Sequence, residues 1–241
     1  MSIGKNLSIL FYIQLTKLMI MYIISLEMSK GDNMERMSIK EFKTKSNIEI
    51  IEELMKANNG YVTSKLISEL GIHRMYLNIM KEKGIIEKVG NGIYIDSKKI
   101  EDSFFTFNLE LPNVIYSHMT ALYFHGLSIK APDNKCDITV PNNYFNYKLK
   151  NHNVFYVDKE IYNMGLTEVE TPYGNKVRVY DIERCICDII RSKNRMDLEH
   201  IKYSIRSYIK RKDKKINKLS EYAEKLGIKE EVMNYIEIFY E

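Results

Sequence analysis

The 241-residue chain is 45% hydrophobic and 28% charged, a globular composition that excludes a disordered protein, and its length suits two small domains. Its formal net charge is +4. The three cysteines, Cys136, Cys185 and Cys187, are odd in number and lack metal-ligand spacing, which argues against a disulfide framework and a zinc site; Cys185 and Cys187 lie in an apolar run and read as buried free thiols, in keeping with a reducing cytoplasm.

Residues 1–45 are set apart by an apolar run. Leu7 to Leu26 is apolar except for Ser8, Gln14, Thr16, Lys17 and Ser25, and it is about long enough to span a bilayer. Gln14 and Lys17 fall near its middle, where a charge costs about 2.5–3.5 kcal/mol. Four readings stay open: a membrane anchor; a signal peptide with Lys5 as its basic region but no A-x-A-like site after it; an ordinary N-terminal helix; or an upstream start codon, with the protein beginning at Met28, Met34 or Met37. From Met37 onward the pattern is that of a cytoplasmic protein, with a membrane role expected only if residues 7–26 are an anchor.

Residues 46–96 read as a winged helix-turn-helix. Ile48, Ile51, Leu54 and Met55 share one face of a helix over Asn47–Lys56, which Asn58-Asn59-Gly60 ends. Thr63 is suited to cap a second helix, Ser64–Leu70, with Leu66, Ile67 and Leu70 inward. Gly71 supplies the turn, Ile72 plugs the corner, and His73 opens a third helix running to Lys83 before Gly84. Two helices joined by a short Gly-containing turn are the helix-turn-helix signature. Ile85–Val89 and Ile93–Ile95 around Gly90-Asn91-Gly92 form a hairpin, the wing. On the third helix Leu77 and Met80 point to the core, so Arg74, Tyr76, Asn78 and Lys81 face outward. The N-terminal end of a recognition helix meets the bases; His73, Arg74 and Asn78 are the base-contact candidates, Asn for adenine and Arg for guanine. Lys88 and Asn91 on the wing are placed to touch phosphate or minor groove.

Charge qualifies this assignment. Residues 46–96 carry six basic and seven acidic side chains, a net of −1, and His73 to Gly92 a net of +2. Phosphate attraction must come partly from elsewhere. The excess lies in residues 191–218, with eleven basic and three acidic side chains, a net of +8. Leu198, Ile201, Ile205 and Tyr208 recur there as a helical apolar stripe, beside a basic stripe of Lys202, Arg206 and Lys210 that Arg211, Lys212, Lys214 and Lys215 extend. Such a patch implies an anionic partner, nucleic acid or an acidic protein, or else a solvated face.

The region 97–241 mixes helices and strands: a helix His118–His125 capped by Ser117, strands Cys136–Val140, Val154–Val157 and Lys176–Tyr180, a helix Ile182–Ile190 capped by Asp181, and C-terminal helices with Gly227 between Leu219–Leu226 and Lys229–Tyr240. The fold class is α+β, a winged helix-turn-helix followed by a mixed α/β domain that ends in helices.

Several short runs, in order, resemble the AbiEi-type antitoxins of type IV toxin–antitoxin and phage abortive infection systems. In the first domain they are Gly60-Tyr61-Val62-Thr63 through Gly71-Ile72, Gly84-Ile85 and Gly92-Ile93-Tyr94. In the second they are Ser117 to Leu122 with His125-Gly126-Leu127, Asp137 to Pro141, Thr171-Pro172-Tyr173-Gly174, and Asp181 to Arg184 before Cys187-Asp188-Ile189-Ile190. The likeness covers roughly residues 46–241. It implies autorepression of the protein's own operon through inverted repeats in double-stranded DNA, and neutralisation of a nucleotidyltransferase-like toxin encoded next door. It implies no catalytic residue and no cofactor.

Enzymatic signals are thin. His118 and His125, seven apart, are poorly placed as metal ligands, and the H-E-x-x-H pattern is missing. Asp137, Asp158, Glu168 and Glu170 are the acids a nuclease would draw on, without a matching Lys; no P-loop, dinucleotide fingerprint or nucleotidyltransferase Gly-Ser step occurs. Arg184 and Asp188, four apart, suit an ion pair. Two alternatives to the repressor–antitoxin remain: a winged helix that binds an acidic partner without DNA, and a nuclease.

Overall fold

The computed structural model describes residues 46–132 and 135–240. The apolar run at residues 7–26 and the three candidate start positions lie outside them. Among the described residues the protein is mixed α+β, with ten α-helices and two sheets. None of these helices is long and apolar enough to cross a membrane. The chain divides into two compact units, one ending at Glu101 and the other beginning at Asp102.

In the first unit, helix α1 (Asn47–Ala57) opens with a capping box: the Glu49 amide donates to Ser46 Oγ and the Ser46 amide to the Glu49 carboxylate. Its inner face buries Ile50, Ile51, Leu54 and Met55. Gly60, at φ +90°, closes the helix by donating its amide to the Met55 carbonyl. Strand β1 (Tyr61–Thr63) leads into α2 (Ser64–Glu69), where Thr63 Oγ1 accepts the Leu66 amide. After Gly71 and buried Ile72 comes α3 (Met75–Glu82), then β2 (Ile86–Gly90) and β3 (Ile93–Asp96). The sheet order is β1-β3-β2, all antiparallel. Strand β1 has too few residues to show a period, so it escapes the sequence pattern. Residues beyond the expected limit at Asp96 bond back to this unit: Ser97 Oγ to the Gly84 carbonyl and Lys99 Nζ to Asn59 Oδ1.

The second unit is built on a five-stranded mixed sheet, β6-β5-β4-β8-β7. Its strands are β4 (Ile115–Tyr116), β5 (Asp137–Pro141), β6 (Asn153–Val157), β7 (Leu166–Glu170) and β8 (Lys176–Tyr180). β5 pairs parallel to β6 and antiparallel to β4; β8 pairs parallel to β4 and antiparallel to β7. Helix α4 (Ser103–Glu110) precedes the sheet, α5 (His118–Phe124) follows β4, and the short α6 (Lys159–Tyr162) joins β6 to β7. After β8 come α7 (Ile182–Arg191), α8 (Leu198–Ile209), α9 (Ile216–Lys225) and α10 (Lys229–Tyr240).

Helix α7 is the centre of this unit: α5, α8, α9 and α10 all pack on it, and every residue from Glu183 to Ile190 is buried. Ile186, Ile189 and Ile190 are removed from water, each contributing about 1.5–3 kcal/mol. So too are Arg184 and Asp188, whose side chains are 0% and 5% exposed. Arg184 Nε lies 3.0 Å from both Asp188 oxygens, Nη1 donates to the carbonyls of Ile161 and Met164, and the guanidinium sits 4.6 Å from the Tyr180 ring centre. The free thiols of Cys136, Cys185 and Cys187 are buried.

Removing one partner of a buried pair strands the other charge in a low-dielectric core, at a cost of about 3–5 kcal/mol. Asp188→Ala is therefore expected to lower the stability of the second unit by about that much in equilibrium urea unfolding. The paired change Arg184→Met with Asp188→Leu keeps more of it. Equal losses in the two variants would contradict an ionised pair.

Candidate nucleic-acid interface

The third helix begins later than the sequence pattern suggests. His73 lies ahead of α3, and its Nδ1 accepts the Met75 amide, so the ring serves the helix start that Arg74, the N-cap residue, leaves without a side-chain cap. Arg74 is exposed, with Nε held 2.9 Å from Ser68 Oγ, which itself donates to the Ser64 carbonyl. The guanidinium is thereby fixed across the α2–α3 turn. Tyr76, expected outward, is only partly exposed and packs against the core of the first unit. Asn78 and Lys81 are exposed on α3, while Leu77 and Met80 are buried as expected.

One residue of this face has no polar signature and escapes the sequence pattern. Met75, at the first turn of α3, is 50% exposed and lies one helical step (i, i+3) before Asn78. A large apolar side chain kept in water beside amide and guanidinium groups is the complement of a thymine methyl.

The hairpin carries Lys88 and Asn91, both exposed. Its turn is held against the start of α2. The Ser64 amide donates to the Gly92 carbonyl at 2.7 Å, and a side chain at Gly92, whose φ is +70°, would run into Ser64 Oγ. Gly92 is required there on both counts. One irregularity in the β2–β3 register, between Lys88 and Gly90, precedes the turn.

The basic segment of the second unit is partly neutralised. Leu198, expected inside, is 49% exposed, whereas Ile201, Ile205 and Tyr208 are fully buried. Lys202 pairs with Glu199, Arg211 is bidentate to Asp213, and Lys218 pairs with Asp181 at 2.8 Å. Arg206 lies 5.0 Å from the Phe239 ring centre. Lys214 Nζ donates to the Arg211 carbonyl, and the Lys215 amide to Glu183 Oε1. Lys210 and Lys212 are exposed. Lys212, Lys214, Lys215 and Lys218 together line a shallow recess of about 500 Å³ with Ile216 and Asn217. The cations thus share a region but are not uniformly available: the acids that hold them lie far off in sequence, as Asp181 does for Lys218, or in the same turn, as Asp213 does for Arg211.

His118, with its backbone at φ +48°, is buried and stacked on Phe155 with ring centres 3.5 Å apart; Nδ1 meets Ser117 Oγ at 2.9 Å and Nε2 meets Ser192 Oγ at 3.2 Å. His125 Nε2 meets the Tyr180 carbonyl at 2.8 Å. Ser117 does not cap α5 through its side chain; Asp137, from β5, takes the Met119 amide instead and also accepts from Asn153 Nδ2. Burial raises the Asp137 carboxyl above the ordinary range, against the pull of Asn153. Asp158 accepts from Asn142 Nδ2, and Glu168 and Glu170 are exposed on β7. Among the described residues no group of three or more His, Cys, Asp or Glu is arranged to hold a metal ion.

Burial lowers the pKa of His118 far below the ordinary value, assisted by the Arg184, Arg195 and Arg191 charges. Burial also lowers His125, against its bond to the Tyr180 carbonyl, and lowers His152. In the unfolded chain these rings take up protons near pH 6.5, while the folded protein keeps them neutral to lower pH. As pH falls below about 6.5 the unfolded state binds more protons and stability drops, by up to about 1.4 kcal/mol per pH unit for the fully buried His118 and by less for the more exposed His125 and His152. Urea unfolding at stepped pH is expected to show this decline, and His118→Gln to make it shallower by one ring's share. An unchanged slope in the variant would contradict a neutral, buried His118.

No family model matches the chain, and no curated protein does. A solved structure, the RV2827C protein from Mycobacterium tuberculosis, is similar over 73% of this chain and 70% of that one, with a TM-score of 0.51 and 11% sequence identity. At that identity the likeness concerns the fold.

Proposed function

We propose that the protein is a DNA-binding autorepressor and antitoxin of the AbiEi type, whose first unit is a winged helix-turn-helix that reads its own operator. The observation that carries this is the order α2, Gly71 turn, α3, β2–β3 hairpin, with Arg74, Met75, Asn78 and Lys81 exposed along α3 and Lys88 and Asn91 on the hairpin. A helix at the second position of such a motif enters the major groove, and the wing meets the backbone or minor groove beside it. Tyr76 is assigned to packing and His73 to the helix start. The cations Lys202, Arg206, Lys210, Arg211, Lys212, Lys214 and Lys215 supply phosphate attraction or hold an acidic partner protein. The antitoxin half, with a nucleotidyltransferase-like toxin as partner, rests on the sequence resemblance. The proposal assigns the protein no catalysis of its own and no cofactor, and places it in the cytoplasm.

A second reading, a winged helix that binds an acidic protein without DNA, draws on the net charge of −1 over residues 46–96. A gel shift on the DNA upstream of the gene separates the two. The repressor binds it specifically, and Asn78→Ala weakens binding by about 1–3 kcal/mol, about five- to 150-fold, with relaxed sequence preference. The combined change of Lys202, Arg206 and Lys210 to Gln weakens binding to all sequences alike and flattens its salt dependence. Absence of a specific shift at moderate salt would overturn the repressor.

Met75 yields a sharper outcome. Deoxyuridine in place of thymine deletes only the methyl group. Substituting it position by position in the operator is expected to reveal one site where wild-type binding drops by about fivefold and the Met75→Ala variant is indifferent. Loss of binding to every probe by Met75→Ala would instead mean that the side chain supports the fold of α3.

A further inference from the structure

The second unit has an exposed aromatic groove that the reading above leaves unused. Phe145 and Tyr147 are 81% and 74% exposed, and Tyr156 is 46% exposed. The three rings line one groove of about 600 Å³ with Asn146, Leu149, Lys150, His152 and Val154. That volume falls in the range of about 300–1,000 Å³ typical of ligand sites. Large apolar rings gathered at one surface point to a binding site.

The groove is held rigidly from below. The 3₁₀ turn Tyr147–Asn151 is anchored by buried Leu149, and Asn146 Oδ1 accepts the Lys148 amide at 3.0 Å. His152 lies with its ring centre 4.4 Å from that of Phe107, and its Nδ1 accepts the Cys136 amide. Val154 and Tyr156, two apart on β6, face the groove, while Phe155 and Val157 between and beyond them are buried. The rings are therefore presented on a preformed floor.

Its chemistry selects the occupant. From Pro141 to Val157 the chain has two lysines, Lys148 and Lys150, and no Asp or Glu. Glu110 pairs with Lys148, which also lies 5.9 Å from the Tyr147 ring centre. Lys150 is exposed at the groove, and the lining holds no carboxylate. Exposed rings interleaved with amides and ammonium groups match unpaired bases on a phosphate backbone: rings stack on bases, Asn146 meets base edges, and Lys150 meets phosphate. A peptide added to the β6 edge is disfavoured, because Arg195 Nη2 already reaches the Val154 carbonyl there. We infer that this groove binds single-stranded nucleic acid, through stacking on Phe145, Tyr147 and Tyr156, independently of duplex reading by the first unit.

The test is fluorescence anisotropy of the full chain with short labelled oligo(dT) and oligo(rU), against a duplex of equal length unrelated to the operator. Saturable binding that prefers the single strands is expected. Phe145→Ala and Tyr147→Ala should each weaken it by about fivefold or more, and Tyr147→Phe should retain it. Lys150→Gln should reduce the salt slope by about 0.7. Because both rings are exposed, the unfolding midpoint of the Ala variants should match wild type. Asn78→Ala should leave this binding intact, which separates its outcome from that of the operator gel shift. No saturable binding, or binding that survives the Phe145→Ala, Tyr147→Ala double variant, would overturn the assignment; in the second case the cations of residues 202–218 would be its source.

Discussion

A guanidinium buried in the middle of a helix is the constraint around which the second unit is arranged. Arg184 cannot reach water, so neighbouring elements answer it: Asp188 one turn on, the carbonyls of Ile161 in α6 and of Met164 in the link to β7, and the Tyr180 ring at the end of β8. The backbone there must come close, and Gly165, at φ +80°, permits it. A Cβ at that position would lie 2.8 Å from Arg184 Cβ and 3.2 Å from Asp181 Oδ1. A buried pair of this kind adds little net stability over an apolar replacement, and in some systems it serves to fix one arrangement. Here it ties together helix, strand end and loop, each of which is separately short.

The same helix explains where the basic segment comes to rest. Asp181 caps α7 by accepting the Arg184 amide, and also accepts from Tyr222 and Lys218 on α9. Glu183 accepts from the Tyr208 hydroxyl and from the Lys215 amide. Two acids at the start of α7 thus clamp the chain from the end of α8 into α9, which is where Lys210 to Lys215 lie. The stretch richest in positive charge is held by the buried Glu183 and the partly buried Asp181. Part of the +8 is used internally as a result, and what remains is presented by a rigid turn.

This bears on what the sequence could disclose. Local signals were readable because they act over three or four residues: the caps at Thr63 and Asp181, the stop at Gly227, the alternation in β8 and the i, i+4 pairing of Arg184 with Asp188 all appear in the structure. Strands β1 and β4 are not, because two or three residues show no period, and neither is β7, an edge strand with no fully buried residue to mark an inner face. Tyr76 and Leu198 differ from the expectation for a related reason. A helical stripe says which residues share a face, and only the neighbouring elements say how far that face is covered. Asp137, from a strand, takes a helix-start amide that Ser117 was expected to take. Charge sums along the chain located the basic segment but could not foresee Asp181 reaching Lys218 or Glu231 reaching Lys193.

For the proposed function, these facts distribute the work between the units. A reading helix with a net charge near zero gains little from phosphate attraction, so its discrimination rests on short-range contacts: the Asn78 amide, the tethered Arg74 and the Met75 side chain. The uncharged contacts of Asn78 and Met75 depend little on salt, whereas Arg74 and the cations elsewhere in the chain add a salt-sensitive contribution. Holding Arg74 against Ser68 limits the entropy lost when it meets a base edge. In the second unit, the proposed binding at the groove of Phe145, Tyr147 and Tyr156 combines stacking, which depends little on salt, with one salt-sensitive phosphate contact by Lys150. Under the proposed function, a chain built this way separates reading from attraction: with one lysine at the groove against several cations for the duplex, single-strand binding should show the shallower salt dependence.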